Sequence, residues 1–215
     1  MDTVIVDDVL HRRDGALIAV RSAQERAEFA IDAIGDAAVD AALARLHREL
    51  AAGEPWSRAL AHAAAQGEVP GRCERRVTAS GALLLDDTRA STPRDVRRSL
   101  TVLAELSRDS GRSIAVIGEL DTAESDWFDE HDALGRIIVR LDISQLVVVG
   151  HGARHVHNAA GLEGSWNGES KLVDSVDEAY DVLRSWVGQE DVMLVTGASR
   201  TPLASLVDRL TGGPA

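Results

Sequence analysis

Cysteine, basic clusters and long apolar runs are what this sequence has least of. Cys73 is the one cysteine in 215 residues, so no internal disulfide can staple the chain. Acidic residues outnumber basic ones by 35 to 23, a net charge of -12, and no block of Lys and Arg offsets the excess locally. That excludes nucleic acid and anionic membrane surfaces as natural partners. No apolar run approaches the roughly 20 residues that span a bilayer. The N-terminal stretch alternates charge with short apolar runs, unlike the continuous apolar core of a signal peptide. No membrane insertion and a cytoplasmic location are therefore expected.

Several chemical signatures are missing too. There is no Gly-x-Ser-x-Gly elbow, no His-Glu-x-x-His helix and no catalytic cysteine setting. A Gly-x-x-x-x-Gly-Lys-Ser/Thr loop, the standard grip on nucleotide phosphates, is absent. Gly150-x-Gly152 does not complete a dinucleotide fingerprint, because His155 stands at the third glycine position, and it reads as a packing turn. His151, His155 and His157 lie close in sequence, but a zinc site needs further ligands. They read as a solvated, histidine-rich helix start. The acidic run Asp126, Asp129, Glu130 and Asp132 suits the first turn of a helix. No catalytic residue and no metal ligand is assigned.

What is present is a folded chain, 45% apolar and long enough for one large or two small domains. Residues Thr3 to Val6 and Ala16 to Val20 read as short strands joined through His11 to Gly15, whose Asp-Gly signals a hairpin. From Gly35 the period becomes helical, with Val39, Leu43, Leu46 and Leu50 on one face. Pro55 suits the first turn of a second helix, Trp56 to about Ala65. Residues Gln66 to Arg72 then read as a loop and a boundary.

Beyond Thr78, apolar runs at Leu83 to Leu85, Ile114 to Ile117, Leu146 to Val149 and Val192 to Val195 alternate with amphipathic helices. Uniformly apolar runs are expected of parallel strands covered on both faces. A weaker strand is expected at Lys171 to Val173. The helices are predicted from Pro93 to about Arg108, Asp126 to Leu141, near Ser175 onward, and Thr201 to Leu210. Thr92 and Asp95 stand where an N-cap and its N3 partner would be. The fold class is α/β: a Rossmann-like parallel-sheet domain over residues 71–215, preceded by a small α+β unit over residues 1–70.

In such a sheet, ligands meet the turns at the strands' C-terminal ends. Four turns qualify: Asp86 to Thr92, Gly118 to Asp121, Gly150 to Ala153, and Thr196 to Arg200. Asp86 and Asp87 either cap a turn or face a ligand, and the pattern alone leaves both open.

With these landmarks placed, the chain from about residue 30 to 210 resembles the back half of a Mur ligase. Gly35 to Ala44 stands where that family has Gly-His-Asn-Val-x-Asn-Ala-Leu-Ala-Ala. Val69-Pro70-Gly71-Arg72-Cys73-Glu74 is similar to its Pro-Gly-Arg-x-Glu junction. Asp86 to Pro93 matches Asp-Asp-Ser-Tyr-Asn-Ala-Asn-Pro, Gly118-Glu119 with His131 and Gly135 matches its Gly-Asp/Glu and His-x-x-x-Gly signals, and Thr196 to Arg200 matches Lys-Gly-Ser-Arg.

The resemblance implies a ligase that activates a carboxylate with ATP, in which Arg72 and Asp87 help to hold the nucleotide. It puts Arg89, Ser91, Thr92, Thr196, Ser199 and Arg200 on the substrate side. Ala90 and Thr92 replace the family's asparagines, Arg89 its tyrosine and Thr196 its lysine, while Ala37 and Asp40 replace the asparagines of the helix. The 1–70 unit resembles a remnant of the family's central ATPase domain, without its phosphate loop. ATP and magnesium are expected only if an ATPase part complements the chain. The expected role is binding or interaction, with a protein partner that is a ligase subunit, a cell-wall enzyme or a second copy of the chain. An apolar surface for such a partner, or for a homodimer, is expected on residues 35–65.

Overall fold

β1 (Ile5–Arg12), β2 (Gly15–Arg21) and β3 (Arg26–Ile31) form an antiparallel sheet in that order, followed by α1 (Asp36–Ala51) and α2 (Trp56–Ala64). The computed structural model describes residues 4–90, 92–108, 111–123, 125–163, 166, 168–197 and 201–212. Contacts divide the chain into two compact units, Met1–Pro70 and Gly71–Ala215.

In the first unit, alternation does the work. Ala16, Ile18 and Val20 of β2 point inward with Phe29 and Ile31 of β3, onto Ala38, Val39, Ala42 and Leu46 of α1 and Ala59 and Ala63 of α2. The hairpin is tighter than its sequence suggests, since His11 and Arg12 belong to β1 and Arg12 pairs with Gly15. Gly15 cannot be replaced here, because a Cβ would lie 2.1 Å from the Ile31 carbonyl oxygen. β3 was not expected: Arg26 and Glu28 mask the period of two carried by Ala27, Phe29 and Ile31. The expected apolar surface on residues 35–65 is also corrected. Among the described residues, the exposed large apolar side chains of this unit are Ile5, Val6 and Leu10 of β1, while α1 and α2 turn theirs onto the sheet.

The second unit has β4 (Glu74–Val77), β5 (Leu83–Asp87), α3 (Pro93–Ser107), β6 (Ser113–Ile117), α4 (Trp127–Arg140), β7 (Gln145–Val149), α5 (Arg154–Leu162), β8 (Glu169–Val173), α6 (Val176–Trp186), β9 (Val192–Thr196) and α7 (Leu203–Leu210). The sheet order is β4-β5-β9-β6-β7-β8, parallel except for β4. β4 reads Glu-Arg-Arg-Val, the charged composition of an edge strand, which is why its sequence carries no strand signal.

Three successive crossovers carry the chain from β5 through β6 and β7 to β8, and one returns it to β9. Right-handed crossovers then put α3, α4 and α5 on one face and α6 and α7 on the other. Leu84, Ile114, Val116, Val147, Met193 and Val195 face α6 and α7, packing with Ala179, Leu183, Leu203 and Leu206. Their strand neighbours Leu85, Ala115, Ile117, Val148 and Leu194 are equally buried. Both faces are covered, as the apolar runs require. Thr92 caps α3 by accepting from the Asp95 N-H, Pro93 follows as the first helical residue, and Ser175 caps α6 through the Glu178 N-H. α7 starts at Leu203, later than Thr201, since Pro202 occupies its N-cap.

Candidate ligand edge of the sheet

The turns named from the sequence meet at one edge because β5, β9 and β6 are neighbours: Asp87 pairs with Thr196, and Thr196 with Ile117. The helices following β5 and β6 go to one face and the helix following β9 to the other. A crevice at β9 is the topological consequence, and it is where doubly wound sheets bind ligands.

The two aspartates at the end of β5 separate into different roles. Asp86 caps its turn, its Oδ1 accepting from the Thr88 N-H at 3.1 Å and the Thr88 hydroxyl at 2.7 Å. Asp87, 1% exposed, is the hub. Its Oδ1 accepts from the Cys73 N-H at 3.1 Å and its Oδ2 from the Thr196 hydroxyl at 2.8 Å. Arg72 reaches both Asp87, with Nε 3.6 Å from Oδ1, and Asp95 of α3, with Nη2 3.0 Å from Oδ1.

Burial pushes the Asp87 carboxyl up to about 6, against the opposing pull of hydrogen bonds from Ser99 and Thr196, the Arg72 charge and the Cys73 N-H. Cys73 takes the left-handed conformation, φ 53°, unusual for a side chain of its size. That turn aims its N-H at Asp87 directly after Arg72. Arg72 and Asp87 are thus brought together, as an ATP-holding pair would need, although internal partners already occupy the carboxylate.

The expected substrate residues are treated differently by the fold. Arg89 is exposed, its N-H bonded to the Gly71 carbonyl at 2.9 Å and its aliphatic stem lying over Gly71. Thr92 spends its hydroxyl on the α3 cap, accepting from the Asp95 N-H and donating to the Asp95 carboxylate at 2.8 Å. Thr196 is fully buried and donates to Asp87, so its hydroxyl positions that carboxylate. The reason is register: its side chain falls on the α3 face of β9, beneath the end of β5. Ser91, Ser199 and Arg200 lie outside the described residues.

Sequence reasoning missed Ser99 and Thr201. The Thr201 hydroxyl accepts the Glu119 N-H at 3.2 Å, and the Thr201 Cβ and hydroxyl lie 2.8 and 2.9 Å from where a Gly118 Cβ would be. Gly197, φ 72°, could not carry a Cβ without meeting Leu120 at 2.9 Å. His131 is completely buried. Its Nδ1 bonds the Trp127 carbonyl at 2.7 Å and its Nε2 accepts the Leu120 N-H at 3.4 Å, which fixes the neutral tautomer. Burial lowers its pKa, outweighing the Trp127 carbonyl. His155 packs between Trp127 and Phe128, and His157 bonds the Ser170 hydroxyl. Among the described residues, no group of three or more His, Cys, Asp or Glu is placed to hold a metal. No described helix is long and apolar enough to cross a membrane.

The parallel sheet and its crevice at β9 define a Rossmann-like domain. Residues 71–199 match the family described as Mur ligase, glutamate ligase domain, and the chain belongs to that family. A UDP-N-acetylmuramoyl-tripeptide--D-alanyl-D-alanine ligase of Mycobacterium leprae is 35% identical over 66% of this chain and 30% of its own length. The corresponding ligase of Mycobacterium tuberculosis strain H37Rv is 34% identical over 60% of this chain and 29% of its own. The chain therefore spans about a third of the curated relatives it matches. Among solved structures, MurF from Acinetobacter baumannii superposes with a TM-score of 0.80 over 97% of this chain and 44% of that one, at 21% identity. MurC from Thermotoga maritima gives 0.74 over 97% and 45%, at 18% identity. These structural likenesses establish the fold.

Proposed function

We propose that this chain is a Mur-ligase C-terminal module of peptidoglycan precursor synthesis that acts in the cytoplasm by binding, and that it does not form amide bonds by itself. The observation that carries this reading is the closed state of Asp87. In the family resemblance this carboxylate helps to hold ATP, and here it is buried with its oxygens taken by the Cys73 N-H and the Thr196 hydroxyl. Thr196 occupies the position of a family lysine, so a cation that could meet an anionic substrate has become a neutral donor to the scaffold. The 215 residues also contain no phosphate-gripping loop, and phosphoryl activation depends on such positioned cations and donors. The partner in this reading is a protein: a ligase subunit, a cell-wall enzyme or a second copy.

A second reading rests on a specific retention. Arg72 and Asp87 still stand within 3.6 Å of each other, so the chain would be one part of an ATP-dependent ligase whose ATPase part lies on other residues. Thermal unfolding with millimolar ATP and magnesium separates the two. The binding-module reading expects no change in Tm. A saturable rise that Arg72→Ala abolishes overturns it and establishes the ligase-part reading.

A further inference from the structure

The six-stranded sheet ends in β4 on one side and β8 on the other. Edge strands present a row of unpaired N-H and C=O groups, which proteins usually disarm with charge. β4 spends its charges within itself, Glu74 pairing with Arg76 at 3.0 Å. β8, Glu169-Ser170-Lys171-Leu172-Val173, carries an acid and a base at the same spacing, but the two are not joined. Glu169 is exposed and has no ion pair among the described residues. The Lys171 ammonium is held 4.5 Å from the centre of the Trp186 ring instead.

The backbone shows which residues of β8 face outward. In the parallel ladder with β7, the Glu169 N-H donates to the Ser144 carbonyl at 3.1 Å and the Val173 carbonyl accepts the Gly150 N-H at 2.8 Å. Alternate residues of a parallel strand turn their polar groups to opposite neighbours, so Glu169, Lys171 and Val173 bond β7. Ser170 and Leu172 direct their N-H and C=O groups to the open edge, where no described strand pairs with them. Side chains alternate as well. Val173 is in the cluster under α6 and α7 and Lys171 lies against Trp186 of α6, which puts Glu169 on that face, while Ser170 meets His157 of α5 on the other.

An antiparallel partner strand must set outward-facing residues opposite outward-facing residues. A second copy of β8 related by a two-fold axis can therefore be centred on Ser170, Lys171 or Leu172. Centring on Lys171 sets two ammonium groups against each other, and centring on Leu172 leaves Lys171 opposite Val173. Centring on Ser170 sets Glu169 of each copy opposite Lys171 of the other, a favourable cross-strand pair made twice. Ser170 then exchanges both hydrogen bonds with its counterpart. Leu172 does so with Gly168, which brings no side chain to the pair.

We propose that β8 is a self-association edge: two copies of the chain join their β8 strands antiparallel about a two-fold axis through Ser170, making one continuous sheet. Naming a second copy as the partner deepens the binding reading and rests on it. The test needs no nucleotide, so its outcome is distinct from that of the thermal unfolding experiment. A contact of two short strands is small, and the dimer is expected to be weak and reversible, with a Kd on the order of 100 µM.

Sedimentation velocity of the full chain, from well below that concentration to roughly tenfold above it, is expected to show a reversible shift from monomer to dimer. Glu169→Lys and Lys171→Glu each set like charges opposite one another and should weaken the dimer at least about tenfold. An equimolar mixture of the two variants has opposite charges at both positions and should dimerise as the native chain does, which variants that had merely lost their fold could not do. In the native dimer, amide exchange at Ser170 and Leu172 should slow as concentration rises, while Lys171, already bonded to β7, stays unchanged. A monomer throughout, a dimer indifferent to both charge reversals, a mixture that stays monomeric, or unaltered exchange at Ser170 overturns the proposal.

Discussion

Thr196, the last residue of β9, donates its hydroxyl to Asp87, the last residue of the neighbouring β5, across 2.8 Å. The pair is in direct register between parallel strands, and it ties the strand that returns from the far side of the sheet to the first strand of its parallel part. A buried carboxylate that loses a donor keeps its desolvation cost. Thr196→Val, matched in shape, is therefore expected to destabilise the chain by about 1 to 3 kcal/mol, read as a lower urea midpoint with an unchanged m-value. Thr196→Ser, which restores the hydroxyl, should recover most of the loss.

Asp87 gives the chain a pH dependence of unusual sign. Its pKa is raised from an ordinary 3.8 to about 6 in the folded state, so between those values the folded chain binds the proton more readily than the unfolded one. Its contribution to stability is therefore greatest below about pH 4 and falls as pH rises to about 6, by on the order of 3 kcal/mol. Asp87→Asn cannot titrate. The stability of the native chain minus that of the variant should fall across this window, and a difference that stays flat would show that Asp87 is not raised.

Asp191, just before the other end of β9, behaves in the opposite sense. Burial opposes its charge, but hydrogen bonds from the Arg112 side chain at 2.7 Å, the Gly188 N-H at 2.8 Å and the Arg112 N-H at 2.9 Å outweigh it and hold its pKa low. Its stabilisation is present above the ordinary carboxylate pKa and lost as pH falls through the lowered one. Asp191→Asn should cost about 2 kcal/mol at pH 7, and the gap to the native chain should narrow on acidification. Urea unfolding at pH 7 and pH 3.5 measures both.

Gly135 marks where α4 and α5 touch. A Cβ there would lie 2.4 Å from the Val156 carbonyl oxygen and 2.7 Å from the Ala159 Cβ, and neither group can rotate away. Gly135→Ala is expected to force the helices apart and destabilise by about 1 to 3 kcal/mol. A Tm within a degree of the native value would show that the two helices separate without cost.

Much of the second unit is legible before folding because its strands are short, wholly apolar and separated by strongly periodic helices. Val96, Leu100, Leu103 and Leu106 mark the inner face of α3, and Thr92 and Pro93 mark its start. The elements that escape are those whose residues do not advertise their environment. β4 is almost entirely charged and β3 carries charges between its inward residues, while of α5, Arg-His-Val-His-Asn-Ala-Ala-Gly-Leu, only the histidine-rich start is legible and the rest packs on α4. The site was legible in its residue types and less so in their roles. Asp86 and Asp87 look alike as a dipeptide, yet period-two alternation sends one to a turn and the other beneath α3. Likewise Thr196 reads as an edge residue until its register places it under Asp87.

The sequence by itself determines the α/β class, the covered parallel strands and most helix starts, because these follow from periodicity and local chemistry, and it carries the motif order by which the chain resembles a Mur ligase. Tertiary structure alone decides that β9 inserts between β5 and β6, which puts Thr196 against Asp87 over a separation of 109 residues. It also decides that Asp87 is sealed and that β8 lies at the edge of the sheet. Burial and hydrogen-bond partnership are properties of what surrounds a side chain, and those surroundings come from strands and helices far away along the chain.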